Sequence, residues 1–305
     1  EPMTLPLTSI ARELIKYLPE SQRNLRQDLI KLTESRDLPG INQVLDTVAD
    51  LHEALGYCDA AFSILESHES KIPVNISNVF AMLRDYFSDH LRARTREKVR
   101  GIYIIIDPDA TNGLDAYDMT RLSLEGGVGV VQYRDKLNDR DVILDNCYRI
   151  KGLCDQYDAA FVVNDAADVA RLTGADFLHL GQSDLSVNGA RRVLHSHQAI
   201  GRSNDGLAEA KESESLGVDY LAVGAIYATS TMGKASRRPL GPSELRVVKS
   251  KTALPVVAIG GITKDNLAAV IESGADAACV VSAITMSDDP EEAARYLVNV
   301  WDSQK

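Results

Sequence analysis

The sequence predicts an α/β chain whose main domain is a (β/α)8 TIM barrel, preceded by a smaller all-α domain. Three observations carry that prediction. From Gly101 onward, eight short β-branched runs alternate with helical patterns, the texture of a parallel sheet. The units recur every ~20–30 residues over roughly 200 residues, the size of a lean barrel. Before that point apolar residues recur at three- and four-residue spacings, which is helical texture. The expected domains are 1–97, helical, and 98–305, the barrel.

In chain order, the helical part carries Leu14, Ile15 and Leu18, then Leu25, Leu29 and Leu32, then Ile41, Val44, Leu45, Val48, Leu51 and Leu55. Breaks are expected at Pro19, at Pro39-Gly40 and at Lys71-Ile72-Pro73, and a long helix over Thr47 to Leu65. A basic seam, Arg92, Arg94, Arg96, Lys98 and Arg100, closes this part. It reads either as a solvated helix end and linker or as a strip that docks on an acidic face of the second domain.

The eight runs are 101–107, 129–135, 160–165, 177–182, 199–204, 220–227, 255–262 and 277–284, the last followed by a helix from Pro290 to Val300. An open doubly wound sheet is the alternative. It would want a G-x-G-x-x-G turn after the first strand, and Asp107-Pro108-Asp109 stands there instead.

Composition narrows the class of function. The chain has 305 residues, 45% hydrophobic and 25% charged, an ordinary globular balance. A net charge of -11 argues against a general nucleic-acid or anionic-membrane binder, so any anion site must be a local basic cluster. Cys58, Cys147, Cys154 and Cys279 are scattered without C-x-x-C spacing, which suits a reducing cytoplasm rather than a disulfide framework or zinc site. No apolar run reaches the ~18 residues of a membrane span and no signal-peptide pattern is present, although the chain opens on Glu1 rather than Met and leaves room for residues upstream.

In a barrel of this kind the site lies at the C-terminal strand ends, and the polar residues collect there. The second run ends Gln132-Tyr133-Arg134-Asp135-Lys136, and period-two alternation puts Gln132, Arg134 and Lys136 on one face. An amide and two cations at the end of a buried strand make sense where it opens onto an anion. Asp165 and Asp184 end successive runs, whose strands would lie ~5 Å apart. Two carboxylates at that distance repel unless a cation lies between them, and Mg2+ takes one or two carboxylates plus water and phosphate oxygens. The alternative for Asp165 is a helix N-cap. Asp168 is explained by the helix dipole.

Gly260-Gly261 and Ser282 end the last two runs, where barrels often hold a phosphate, although a Gly pair also suits a tight turn. Thr229, Ser230 and Thr231 sit on a long loop with Met232-Gly233-Lys234, of the length that functional lids have. His179, between Leu178 and Leu180, reads as packed in the barrel with a base as the lesser alternative, and His195 and His197 as solvated helix ends. With two anion sites and no evident nucleophilic Cys or Ser–His pair, the residues suggest phosphate-bearing substrates joined by loss of pyrophosphate.

At this point the residues resemble a known family, thiamine phosphate synthase, over 101 to about 302. The resemblance rests on Gln132 to Lys136, Val163 to Ala170, Gly174 to Leu185, Ile200 to Ser203, Val223 to Thr231, Ala258 to Thr263 and Val281 to Ile284, seven blocks in order. It implies an enzyme that condenses a hydroxymethylpyrimidine diphosphate with a thiazole phosphate, releasing pyrophosphate, and CO2 as well when the thiazole is carboxylated. Ionisation to a pyrimidine-methyl cation would precede capture by the thiazole nitrogen. By the same resemblance Gln132, Tyr133, Arg134, Asp135, Lys136, Asn164 and Ser203 bind the pyrimidine diphosphate. Asp165 and Asp184 hold Mg2+, and Thr229, Ser230, Thr231, Gly261, Val281 and Ser282 bind the thiazole phosphate.

Catalytic roles fall on Arg134, Lys136, Ser203 and Lys234. The family usually has Lys where Met232 stands, and Lys234 is expected to reach the same oxygens; Ala225 and Asn204 also depart from the pattern. A thiazole tautomerase relative shares the barrel, and a binding-only scaffold is a further alternative; the full Gln132–Lys136 stretch and the Asp165/Asp184 pair favour the synthase. Residues 1–97 receive no chemistry, only an expected role in dimerisation, in contact with another thiamine-pathway enzyme or in covering a barrel face.

Overall fold

The computed structural model describes residues 5–6, 11–12, 14–15, 20–33, 40–41, 51–67, 74–229 and 238–304. The chain divides into two compact units, Glu1–Leu91 and Arg92–Lys305, so the division falls six residues before the expected one.

In the first unit the helices are α1 (Arg23–Thr33), α2 (Leu51–Ser67) and α3 (Val74–Arg96), the last running on into the second unit. Leu14, Leu29, Ala54, Cys58, Phe80, Leu83 and Phe87 form its core, as their helical spacing requires. Two strand residues, Gly40–Ile41, pair antiparallel with Leu5–Pro6, so this unit is not purely helical. The start of the helix expected from Thr47 and the breaks at Pro19, Pro39 and 71–73 lie outside the described residues.

The second unit is a closed barrel of eight parallel strands. They are β1 (Gly101–Ile106), β2 (Val130–Tyr133), β3 (Ala160–Asn164), β4 (Phe177–Leu180), β5 (Ala199–Asn204), β6 (Tyr220–Val223), β7 (Val256–Ile259) and β8 (Ala277–Val280). Each pairs with the next and β8 closes on β1, in the register Tyr103↔Val130, Gln132↔Val162, Asn164↔His179, His179↔Gly201 and Gly201↔Tyr220. Most strands end one to four residues before the apolar runs do, and the surplus residues form the turns at the mouth.

Alternation sorts the side chains into two cores. Ile102, Ile104, Ile106, Leu178 and Leu180 point outward to the helices. Tyr103, Ile105, Val130, Val162, Phe177, Tyr220 and Val257 fill the barrel. The surrounding helices are α4 (Ala116–Glu125), α5 (Arg140–Gln156), α6 (Ala167–Thr173), α7 (Val187–Val193), α8 (Leu207–Ser215), α9 (Gly241–Lys249), α10 (Leu267–Glu272), α11 (Ser282–Thr285) and α12 (Pro290–Ser303).

At the N-terminal end of the barrel the basic seam docks rather than dangling in solvent. Asp219 is 1% exposed and accepts from the Ile200 N–H (2.8 Å), Arg191 (2.5 Å) and Arg96 (3.3 Å), with the Arg92 guanidinium 3.6 Å away. Lys98 adds an ion pair with Asp158 at 3.1 Å. None of the four cysteines forms a disulfide. Among the described residues no helix is long and apolar enough to cross a membrane.

Candidate active site

The strand ends gather most of the expected polar residues at one mouth. Arg134 and Lys136 leave β2 in opposite company. Arg134 ion-pairs with Asp107, a carboxylate only 4% exposed just beyond β1, and Lys136 with Asp165 just beyond β3. Asp107 was not singled out from the sequence, where Asp107-Pro108-Asp109 reads only as a turn. Its carboxylate also accepts from the Asp109 N–H at 3.1 Å, fixing that turn.

Asp165 is not a helix cap. The cap position of α6 is Ala166, and Asp165 itself sits at φ 60°, a left-handed conformation uncommon outside glycine and most tolerated by Asp and Asn. Asp184 folds back over β4 to accept the Gly181 N–H at 2.7 Å, and a Cβ on Gly181 would lie 2.9 Å from that carboxylate oxygen.

The two carboxylates meet. Burial and the hydrogen bond with Asp184 push the Asp165 carboxyl above its ordinary value, although Lys136 pulls the other way. Burial also pushes Asp184 up, but the hydrogen bonds from Asp165 and the Gly181 N–H outweigh it, and Asp184 lies below the usual carboxylate range. Two carboxylates this close oppose each other's ionisation, which makes the pair a place short of positive charge. No cluster of three or more His, Cys, Asp or Glu side chains suited to a metal occurs among the described residues. A cation held here would take two carboxylates and leave its other positions to water and substrate oxygens, the habit of Mg2+.

Two members of the Gln132–Lys136 stretch do not reach the mouth. Tyr133 is 1% exposed and packs outward in the shell between strands and helices, its hydroxyl donating to Asp135 at 2.7 Å and accepting from Asn146 at 3.0 Å. The alternation that points Gln132 inward points Tyr133 outward. Asp135 accepts from the Asn138 side-chain amide (2.8 Å) and from the Leu137 and Asn138 backbone N–H groups (3.0 and 3.1 Å), which together hold it below the usual carboxylate range against the effect of burial. Both shape the loop that carries Lys136. Asn204 is likewise structural: it is 1% exposed, donates to the Arg202 carbonyl and accepts from Ser213.

A Ser–His pair that the sequence does not show is made by the fold. His179 Nε2 lies 2.9 Å from Ser203 Oγ, because β4 and β5 pair with His179 opposite Gly201, two residues before Ser203. His179 points into the barrel, while Leu178 and Leu180 point out, as the alternation requires. Asn164 ends β3 opposite His179.

A second pocket of about 80 Å3 lies under β7 and β8, lined by Thr229, Gly260, Gly261, Val281 and Ser282 among others. Gly260 and Gly261 have φ of 101° and 65°, and a Cβ on Gly261 would lie 2.5 Å from the Ala228 carbonyl oxygen. Only glycine lets the backbone turn there and leave its N–H groups open to an anion. Ser230, Thr231, Met232 and Lys234 lie outside the described residues.

Comparison with known proteins agrees with this geometry. Residues 102–284 match the family model described as thiamine monophosphate synthase. The thiamine-phosphate synthase of Natronomonas pharaonis is 38% identical over 200 residues, 65% of this chain and 94% of that relative. That of Synechococcus sp. (strain WH7803) is 39% identical over 212 residues, 69% of this chain but only 60% of the relative's own length. Among solved structures, the thiamine phosphate pyrophosphorylase from Pyrococcus furiosus superimposes with a TM-score of 0.63 at 32% identity, covering 68% of this chain and 98% of that one. A family match across the whole strand system, and a solved relative almost wholly covered by it, leave one conclusion: the chain belongs to the thiamine monophosphate synthase family.

Proposed function

We propose that the barrel condenses 4-amino-2-methyl-5-(diphosphooxymethyl)pyrimidine with a thiazole phosphate to give thiamine phosphate and pyrophosphate. The observation that carries this reading is the mouth itself: Arg134 on Asp107 and Lys136 on Asp165, with Asp184 in hydrogen-bond contact with Asp165. The carboxylates of Asp107, Asp165 and Asp184 offset the charge of Arg134 and Lys136, so these side chains alone offer a diphosphate little net attraction. A divalent cation on Asp165 and Asp184 would tip that balance toward positive charge and supply charge neutralisation to the leaving group.

The chain's own residues do the rest. Lys136 turns toward the diphosphate once the cation engages Asp165, Arg134 meets it while held by Asp107, and Gln132, Asn164 and Ser203 hold the pyrimidine end. Thr229, Gly261, Val281 and Ser282 hold the thiazole phosphate, so that its ring nitrogen waits beside the carbon from which the diphosphate departs. Ser230, Thr231 and Lys234 complete the two phosphate sites from the loop, Lys234 standing in for the basic residue that Met232 replaces. The C–O bond to the diphosphate breaks, the pyrimidine-methyl cation forms, and the thiazole nitrogen closes the new C–N bond. We place the enzyme in the cytoplasm, and assign residues 1–97 to contacts with a second copy or a pathway partner.

A coupled assay for pyrophosphate tests the reading. Both substrates with Mg2+ release pyrophosphate and thiamine phosphate in equal amounts, and thiazole phosphate alone is returned unchanged. A tautomerised thiazole without pyrophosphate, or tight binding without turnover, would overturn it.

A further inference from the structure

We propose that Gln132, Tyr103, Tyr220 and His179 form a one-way hydrogen-bond relay through the barrel interior that makes Ser203 a donor aimed at the mouth. The relay rests on the reading that the mouth takes a pyrimidine diphosphate. It joins five of the eight strands, β2, β1, β6, β4 and β5 in that order. Gln132 Nε2 donates to the Tyr103 hydroxyl at 2.6 Å, Tyr103 and Tyr220 hydroxyls lie 3.1 Å apart, Tyr220 reaches His179 Nδ1 at 2.8 Å, and His179 Nε2 reaches Ser203 Oγ at 2.9 Å. Gln132, Tyr103, Tyr220 and His179 are 2%, 1%, 0% and 7% exposed, so water does not break the chain.

The direction follows from the end groups. The amide nitrogen of Gln132 only donates, so Tyr103 accepts from it and passes its own proton to Tyr220. Burial holds both phenols well above their ordinary values, and each stays a donor. Tyr220 therefore donates to His179 Nδ1, which must be bare. The one imidazole proton then sits on Nε2 and goes to Ser203 Oγ. The Ser203 proton is left to point at the mouth, where an anion departs. In this state His179 cannot act as a base toward Ser203; Tyr103, Tyr220 and His179 are positioning residues.

The barrel is built around the relay. Gly201 lies between His179 and Tyr220 in register, and a Cβ there would lie 2.0 Å from Tyr220 Cζ. The glycine lets the Tyr220 ring cross β5 and stack on His179, with centroids 5.8 Å apart. A serine whose hydroxyl merely rotated freely would need none of this.

The test is 15N-histidine NMR on the full chain without ligand, the His179 signals assigned by their loss in His179→Gln. The relay requires a bare Nδ1 and a protonated Nε2, and in Tyr220→Phe a mixture of tautomers. An Nδ1–H tautomer overturns it and would leave Ser203 as the donor to His179; an imidazolium overturns it as well, since Nδ1 could then not accept from Tyr220. In turnover, Tyr103→Phe and Tyr220→Phe lower kcat about tenfold, the worth of one oriented bond to a charged group, with KM for the pyrimidine diphosphate little changed. His179→Gln, whose amide nitrogen stands where Nε2 stood, keeps more of kcat than His179→Asn; equal loss in the two, or wild-type kcat in both Phe variants, contradicts the relay. A wild-type chain that releases no pyrophosphate would sink the functional reading alone, since the tautomer is measured without substrate.

Discussion

At the scale of single residues, the mouth is a balance of close charges that a divalent cation resets. Asp165 carries the cost. Its folded carboxyl titrates above the unfolded one, so its contribution to stability is present below the unfolded value and is lost as pH rises through the folded one. Above the folded value the ionised Asp165 therefore costs stability. Asp165→Asn keeps the left-handed backbone, which Asn also tolerates, and gives Asp184 a permanent donor. We expect the melting temperature at pH 7 to hold or rise by up to about 2 °C while calorimetric Mg2+ binding disappears, the familiar trade of stability for function. A large fall in melting temperature with Mg2+ binding intact would contradict it. Lys136 yields the opposite expectation. Because its ammonium already occupies Asp165, Lys136→Gln tightens Mg2+ binding by roughly three- to fivefold in the absence of diphosphate, the worth of a half-exposed ion pair, and weakens binding of inorganic pyrophosphate. Weaker Mg2+ binding in that variant would show that the lysine assists the ion rather than competes with it.

At the scale of elements, the strands were legible because parallel barrel strands are apolar on both faces, and their ends were legible because polar residues gather where a strand runs out of the core. Asp165 and Asp184 could be paired from the sequence since they end successive strands. Asp107 could not: a buried carboxylate after a first strand looks like turn chemistry until Arg134 is seen on it. Tyr103 and Tyr220 were hidden for a related reason, since a tyrosine in an apolar run reads as packing and only closure of the barrel brings two distant phenols together. Alternation separates Gln132, inside the barrel, from Tyr133, whose hydroxyl is engaged outside it. The seam ending α3 was ambiguous for want of its partner, Asp219, more than a hundred residues away. Charge gathered at that end of a barrel serves stability rather than catalysis. Asp219→Ala, which leaves the Arg92, Arg96 and Arg191 guanidinium groups without their buried carboxylate, costs about 3 kcal/mol and leaves KM for both substrates as it was. A changed KM with full stability would mean that the bottom of the barrel bears on the mouth.

At the scale of the whole molecule, the division of the chain at Leu91 and Arg92 makes the end of α3 part of the barrel unit. Removal of residues 1–91 leaves the Asp219 cluster whole, whereas removal of 1–97 also takes Arg92 and Arg96. The shorter deletion is expected to keep wild-type kcat, and the longer one to unfold at lower denaturant, with the two midpoints compared directly; equal midpoints would show that the seam adds nothing to the barrel. Native mass measured on full chain and deletion decides whether residues 1–91 hold a second copy. The central claim, that a divalent cation on two carboxylates and two basic side chains together receive the departing diphosphate, is tested most directly by crystals soaked with Mn2+ and inorganic pyrophosphate. The account predicts an anomalous peak between Asp165 and Asp184, with diphosphate oxygens on that ion, on Arg134 and on Lys136. A peak elsewhere, or a diphosphate bound away from those side chains, would contradict it.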